Sequence, residues 1–427
     1  MPAVNPPRGM RDFLPADKLR RERVLALIRA VYRSHGFDEI ETPVVEDYAR
    51  LHAGIGGDNE KLAYNVLRRG LDADGIRAAA DDPAALSDLG LRYDLTVPLA
   101  RFFASHRAEL PTVFRAIQIA PVWRAERPQK GRYRQFVQCD IDIIGDATSR
   151  AETELIVASL DAVDALGLEG AQVRVNDRRA LEAMLAHFGF APEEQSGVLI
   201  TIDKLDKIGP AGVVAELRER GADEGAVAAF EAFLSRPVDG QTLPFGEGQI
   251  RAALPDGVGD EVVAHLVGIG DAVSAARGEG EVPLVFDPFL VRGMGYYTGT
   301  IFELAHPSVG YSLGGGGRYD GMIGRFLGQQ VPAVGFSLGF ERLVDLLDAG
   351  SDADEDAVVL IHDRDVPLAE LVAAKAALVR VGSRVRLEQR TKNLKALLDR
   401  AAADGYTSFA ILAAGADPGA LELKPLS

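Results

Sequence analysis

The segment FVQCDIDIIG (136–145) constrains the fold more than any other stretch of this 427-residue chain. Side chains alternate between the two faces of a strand, so Val137, Cys139, Ile141 and Ile143 share one face and Gln138, Asp140 and Asp142 the other. A strand with one apolar face and a row of acids plus an amide opposite either lies at the surface or lines a polar pocket. Taken by itself, the surface is the simpler reading. The preceding stretch FRAIQIAPVWRAE (114–126) predicts an antiparallel partner, with Arg124 and Glu126 on one face near its end. The connector then holds Arg127, Lys130 and Arg132, with Arg134 directly after it. Like charges crowd a hairpin tip only at a cost, so the hairpin implies an anionic partner such as a polyphosphate. That partner moves the acid-lined face toward the pocket reading.

Around this hairpin the chain divides by pattern. Val24, Leu27, Ile28 and Val31 recur at helical spacing within 16–35, and Gly36 is placed to end that helix. FDEIETPVVED follows as a strand broken by Pro43, which suits a sheet edge or terminus. Residues 70–88 read as a surface loop with a short helix, followed by the ordered LRYDLTVPLARFFA. After a helix (151–167) and the strand VRVND, residues 180–275 are helical in pattern and form an inserted module between core segments 1–179 and 276–348. Strands are predicted at VPLVFDPFLVRG and TGTIFEL, then a Gly-rich turn and a helix from about Phe340. The acidic AGSDADED (349–356) reads as a linker. Beyond it, strands and helices alternate through 357–427, which predicts a small α/β domain on a parallel sheet.

Further stretches suit ligand binding. LVRGMGYYTG sets Arg292 beside glycines that allow close approach, followed by Tyr296 and Tyr297; alone, it reads as a turn with half-buried tyrosines. GGGGRYDG (314–321) is a phosphate cradle or a flexible turn. In GFSLGFERL, Arg342 opposes a helix dipole, a small penalty that anion binding would justify. The chain has no GxxxxGK[ST] loop and no GxGxxG spacing, so a nucleotide site would be of another kind.

Composition narrows the partners. A formal charge of −16 argues against unspecific coating of nucleic acid but leaves room for a local basic tract. No apolar run is long enough to span a bilayer and the N-terminus lacks a signal-like h-region, so a soluble, cytoplasmic protein is expected. The lone Cys139 reads as a small core residue, and the seven histidines fall in no ligand spacing, so no structural metal site is expected.

Taken in order, ETPVVE, VWRAERPQKGRYRQFVQCDIDI and GFSLGFERL resemble the three signature motifs of class II aminoacyl-tRNA synthetases. LVRGMGYYTG and GGGGRYDG resemble the pair that marks the histidyl-tRNA synthetases, and RGMRDFLP and IDKLDKIGP match that family too. The resemblance covers nearly the whole chain. It implies an α+β catalytic domain with an antiparallel sheet flanked by helices, a helical insertion and a C-terminal α/β anticodon-binding domain. It implies ATP-dependent activation of L-histidine to histidyl-adenylate, with Mg²⁺, and transfer to the 3′ end of tRNA(His). Motif 1 would build a homodimer interface.

By the same resemblance, Asp94 and Thr96 would hold the histidine amino group. Gln138 and Asp142 would bind the same substrate, and Tyr296 and Tyr297 would enclose its imidazole. Arg124 and Arg292 would bind the α-phosphate and the histidine carboxylate. Arg132 and Arg342 would hold the ATP tail, with Glu126 and Mg²⁺ completing the site. Arg384, Arg386, Arg390, Lys392 and Lys395 would face tRNA from a last domain whose charges balance while the rest of the chain is acidic.

Three features depart from the family pattern. Gly295 stands where an aspartate is common, LRYDLT is the eukaryotic-like form, and the ending LELKPLS predicts shortened last elements. Two alternatives share the fold: the regulatory subunit of ATP phosphoribosyltransferase, which usually lacks the arginine at position 292 and a normal tRNA-binding domain, and a paralogue that activates histidine for another acceptor.

Overall fold

The structure is a computed structural model that describes residues 4–53, 61–80, 82–129, 131–235, 243–256, 258–278, 282–292, 296–347, 356–416 and 421–426. Lys130, Gly295, most of the 349–356 linker and part of the 52–70 loop lie outside the described residues. Described residues fall into two compact units, one within 1–11 and 24–347, the other within 12–23 and 348–427.

The first unit is built on a nine-stranded sheet. Its order is Asp38–Glu39, Phe114–Trp123, Gln135–Ile144, Ala333–Gly339, Gly314–Arg318, Thr300–Ala305, Gln172–Asp177, Leu284–Phe286 and Leu243–Pro244. Neighbours run antiparallel except Asp38–Glu39 beside Phe114–Trp123 and Gln172–Asp177 beside Leu284–Phe286. The two halves of the Pro43 segment behave as an edge requires. Asp38–Glu39 borders this sheet, while Val45–Asp47 joins a separate three-stranded sheet with Ser87–Leu91 and Tyr64–Leu67.

One face of the main sheet carries the core. Cys139, Ile141 and Ile143 meet Leu155 and Ile156 of the helix Ser149–Ala165, Leu266 and Ile269 of Asp260–Arg277, and Val24, Leu25, Ile28 and Tyr32 of the N-terminal helix. That N-terminal helix ends as expected near Gly36, whose positive φ of 80° suits glycine. Its buried stripe is rotated from the predicted one: Leu25 and Tyr32 point inward while Leu27 is 37% exposed. On the opposite sheet face Gln138, Asp140 and Asp142 are also buried, within a pocket rather than at an exposed surface.

GGGGR is a strand inside the sheet, not the predicted turn. A Cβ on Gly316 would lie 1.9 Å from the carbonyl oxygen of Gly335, and one on Gly317 2.7 Å from that of Thr300. The glycines are there to bring neighbouring strands close, not to supply flexibility.

Residues 178–277 are mostly helical, as their pattern predicts, but they pack in two ways. Helices Arg178–Phe188, Pro192–Ile202, Leu205–Glu219 and Glu224–Leu234 enclose their own core around Leu185, Leu199, Val213 and Phe230. Ile250, Leu266 and Ile269, from the later helices, belong instead to the core under the main sheet. In the second unit Arg384–Gln389, Ala357–His362 and Ser408–Leu412 are parallel, as expected, and Lys424–Pro425 adds an antiparallel edge.

Candidate active site

A pocket opens on the uncovered sheet face, with the hairpin strands as its floor. Asp94, Thr96, Arg124, Glu126, Arg132, Gln138, Asp142, Arg292, Tyr296, Tyr297 and Arg342 all line it, although they span 248 positions of sequence. It is open to solvent and brings a few charged groups together among aromatic walls, as ligand sites do.

One end is acidic and aromatic. Asp94 is set by the start of the helix Thr96–His106, where its Oδ1 accepts from the amide of Val97 at 3.1 Å. Asp142 lies opposite Gly335 on the next strand, where a Cβ would come 2.0 Å from its Oδ1, so glycine there leaves room for the carboxylate. The Tyr319 hydroxyl donates to Asp142 at 2.6 Å. Burial pushes the Asp142 carboxyl up to about 7; the Tyr319 hydrogen bond opposes this and the Asp94 charge adds to it. Asp140 is raised well above the carboxylate range by burial and then by Asp142. Gln138 donates from Nε2 to Ser337 Oγ at 3.1 Å, while its buried Oε1 has no partner among the described residues. The Tyr296 and Tyr297 rings lie 4.7 Å apart, and Tyr319 meets Tyr296 edge-on at 6.2 Å. Buried carboxyls, whose charged form burial disfavours, walled by tyrosines, gain most from a cationic ligand.

The other end is basic. Arg124 Nε donates to the carbonyl of Tyr93 at 2.9 Å, and its guanidinium lies 5.1 Å from the Phe136 ring centre. The tip folds back through the Gln129–Arg132 bridge about Gly131, whose φ of 72° favours glycine, and Arg132 pairs with Glu126 at 2.6 Å. Arg292 Nη1 pairs with Glu303 at 2.9 Å. Arg342, at the head of Phe340–Leu346, hydrogen-bonds only the carbonyls of Gly131 and Ser312 among the described residues. Burial, then the charges of Arg132 and Arg292, lower its pKa. Positive charges gathered with too few carboxylates between them fit a polyphosphate.

Several lining residues were not among the predicted site residues. Asp140 shares the polar face of its strand with Gln138 and Asp142, so the period of two already carried its signal. Phe136 shares that face too, whereas Tyr133, Ser312, Tyr319 and Glu341 carried no such signal. Arg11, in RGMRDF, pairs with Glu341 and stacks 3.5 Å from the Tyr133 ring centre, which ties the N-terminal motif to this site.

In the second unit, Arg390, Lys392 and Lys395 are exposed. Arg384 and Arg386 are only half-exposed. Their guanidiniums lie 4.2 and 4.5 Å from the Tyr406 ring centre, and Arg386 pairs with Asp404 at 2.6 Å. The five basic residues therefore do not form one free surface.

An antiparallel sheet with an acid-to-arginine pocket on one face, and an α/β unit at the C-terminal end, is the fold class of the class II synthetases. A family model described as histidyl-tRNA synthetase matches residues 9–343. A histidine–tRNA ligase of Leifsonia xyli subsp. xyli is 59% identical over 431 residues, covering 99% of either chain. The structure of histidyl-tRNA synthetase from Nostoc sp. PCC 7120 aligns with a TM-score of 0.77 at 26% identity, over 99% of this chain and 95% of that one. An ATP phosphoribosyltransferase regulatory subunit/histidyl-tRNA synthetase from Bacillus halodurans C aligns with a TM-score of 0.75 over 97% of this chain and 99% of that one; at 20% identity it speaks for the fold alone. The chain belongs to the histidyl-tRNA synthetase family.

Proposed function

We propose that this chain is a histidine–tRNA ligase: it joins L-histidine to ATP as histidyl-adenylate, releasing pyrophosphate, and passes the histidyl group to the 3′ end of tRNA(His). The observation that carries the reading is one pocket with buried acids and tyrosines at one end and facing arginines at the other. Full-length similarity to a histidine–tRNA ligase supports it.

In this reading Asp94 and Thr96 take the ammonium of histidine, and Gln138 and Asp142 bind the same substrate. Tyr296 and Tyr297 enclose the imidazole. Arg124 and Arg292 hold the histidine carboxylate against the α-phosphate, and Arg132 and Arg342 hold the ATP tail. The carboxylate is already ionised at neutral pH, so a carboxylate oxygen attacks phosphorus without a general base. The bond to the β-phosphate breaks and pyrophosphate leaves. The site supplies alignment and fixed positive charge for the oxygens on which negative charge builds. Mg²⁺ is usually held by one or two carboxylates together with substrate phosphates, and Glu126 and Glu341 at the basic end fit that role. When bound it would neutralise phosphate charge. In the second step the ribose hydroxyl attacks the adenylate carbonyl and AMP leaves; no side chain is assigned as base.

We assign 1–179 with 276–348 to the catalytic core, 180–275 to the helical insertion, 349–356 to a linker and 357–427 to the anticodon-binding-like domain. The helices of 178–234 share one core with Leu290, Val291 and Ile301, whereas Ile250, Leu266 and Ile269 join the core under the main sheet, which favours a narrower insertion. Val44 and Val45 of the motif 1 segment are 43% and 37% exposed, which suits the homodimer contact. No described helix is long and apolar enough to cross a membrane, and we place the protein in the cytoplasm.

Histidine-dependent exchange of pyrophosphate into ATP tests the first step. Exchange with histidine alone among the amino acids is expected. Absence of exchange from folded protein would move the reading to the regulatory-subunit alternative, which the presence of Arg292 and of a C-terminal α/β unit disfavours.

A further inference from the structure

Arg292 is built into the site indirectly. It lies beyond the short strand Leu284–Phe286, outside any helix or strand. What aims it is Glu303 on Thr300–Ala305. Glu303 Oε2 accepts from Arg292 Nη1 at 2.9 Å, and Glu303 Oε1 accepts from Arg174 Nη1 at 3.0 Å. One carboxylate thus bridges two arginines.

The cross-strand register explains the arrangement. Arg174 on Gln172–Asp177 stands directly opposite Glu303, and Gly315 stands opposite Glu303 on its other side. A Cβ on Gly315 would approach Arg292 Cζ to 2.8 Å, so glycine lets the guanidinium lie across the sheet at that point. Arg174 is itself fixed twice more, by the fully buried Asp287 and by Asp206 of the helix Leu205–Glu219 at 3.4 Å. Arg174 is absent from the lining of the pocket that holds Arg124 and Asp94, and lines instead an adjoining cavity with Glu303, Arg292 and Arg342.

We infer that Arg174 is a positioning residue for histidine activation: it orients Glu303, which in turn holds Arg292 toward the reacting phosphate. This rests on the role proposed above for Arg292. A carboxylate held on both oxygens by charged hydrogen bonds has little rotational freedom. Freed of Arg174, Glu303 can turn, and Arg292 then samples geometries away from the attack line. Small misplacements of a catalytic group cost on the order of 10- to 100-fold in rate.

The test is steady-state pyrophosphate exchange with Arg174→Ala, Arg174→Lys, Glu303→Gln, Arg292→Ala and the Arg174→Ala/Arg292→Ala double variant, with thermal midpoints measured alongside. Arg174→Ala is expected to lower kcat roughly 10-fold or more while KM for ATP moves less, with partial rescue by Arg174→Lys. Glu303→Gln should reproduce the kcat loss, and it serves if Arg174→Ala does not fold. Adding Arg174→Ala to Arg292→Ala should cost nothing further, which a merely structural role would not predict. Wild-type kcat in Arg174→Ala beside an Arg292→Ala that is strongly slowed but still measurable, or effects that multiply in the double variant, overturns the inference alone. Full exchange in Arg292→Ala overturns the role of Arg292 and this inference with it.

Discussion

Asp142 carries its site's chemistry in its titration. Its carboxyl has an ordinary value of 3.8 and is raised to about 7, first by burial. Between those values the folded protein holds a proton that the unfolded chain has released. This contribution to stability is complete below the lower value and is lost as pH rises through the upper one. The ligand-free thermal midpoint should therefore fall from about pH 5.5 to about pH 8, and Asp142→Asn should make the fall shallower. Equal slopes for the two proteins would contradict the burial argument. Arg292→Ala is expected to lose most of its adenylation rate while keeping its stability within about 1 kcal/mol of the wild type, read from the thermal midpoint. At this scale the sequence is legible where chemistry follows a local period, as along Gln138, Asp140 and Asp142. It is not legible for Glu303, whose meaning depends on Arg174, 129 positions away, nor for Glu341, whose partner is Arg11.

Among the elements, the hairpin Phe114–Trp123 with Gln135–Ile144 matches its pattern best in its second strand, where Val137, Cys139, Ile141 and Ile143 alternate with Gln138, Asp140 and Asp142. Gly314–Arg318 does not. Consecutive glycines have no periodicity, and a strand that needs glycine because its neighbours crowd it looks the same in sequence as a flexible turn. The difference is measurable. Gly316→Ala should cost at least about 1–3 kcal/mol, since the neighbouring carbonyl cannot be avoided. Gly321→Ala, in the helix Asp320–Leu327 with no atom near its Cβ direction, should be neutral or stabilise by up to about 1 kcal/mol. Equal effects in thermal denaturation would contradict the packed-strand account. The alternation of strand and helix in 357–412 is legible for the opposite reason: each element there is short, bounded and regular.

At the scale of the whole molecule, a net charge of −16 coexists with a C-terminal unit in which Arg390, Lys392 and Lys395 are among the exposed basic residues, and the proposed tRNA contact falls on them. Lys392→Glu with Lys395→Glu should raise KM for tRNA and leave histidine-dependent pyrophosphate exchange unchanged. It should also make tRNA binding less sensitive to salt, by about 0.7–0.9 in log–log slope for each phosphate that is no longer neutralised. An unchanged KM for tRNA would remove these lysines from the tRNA surface. On the proposed function the pocket's product is delivered to tRNA, and the most direct measurement is transfer of labelled histidine to total tRNA with ATP and Mg²⁺. Charging that depends on histidine and ATP, and that saturates at the level of tRNA(His), is the predicted result. Folded protein that exchanges pyrophosphate with histidine yet leaves cognate tRNA uncharged would contradict it, and would make the chain an activator of histidine for another acceptor.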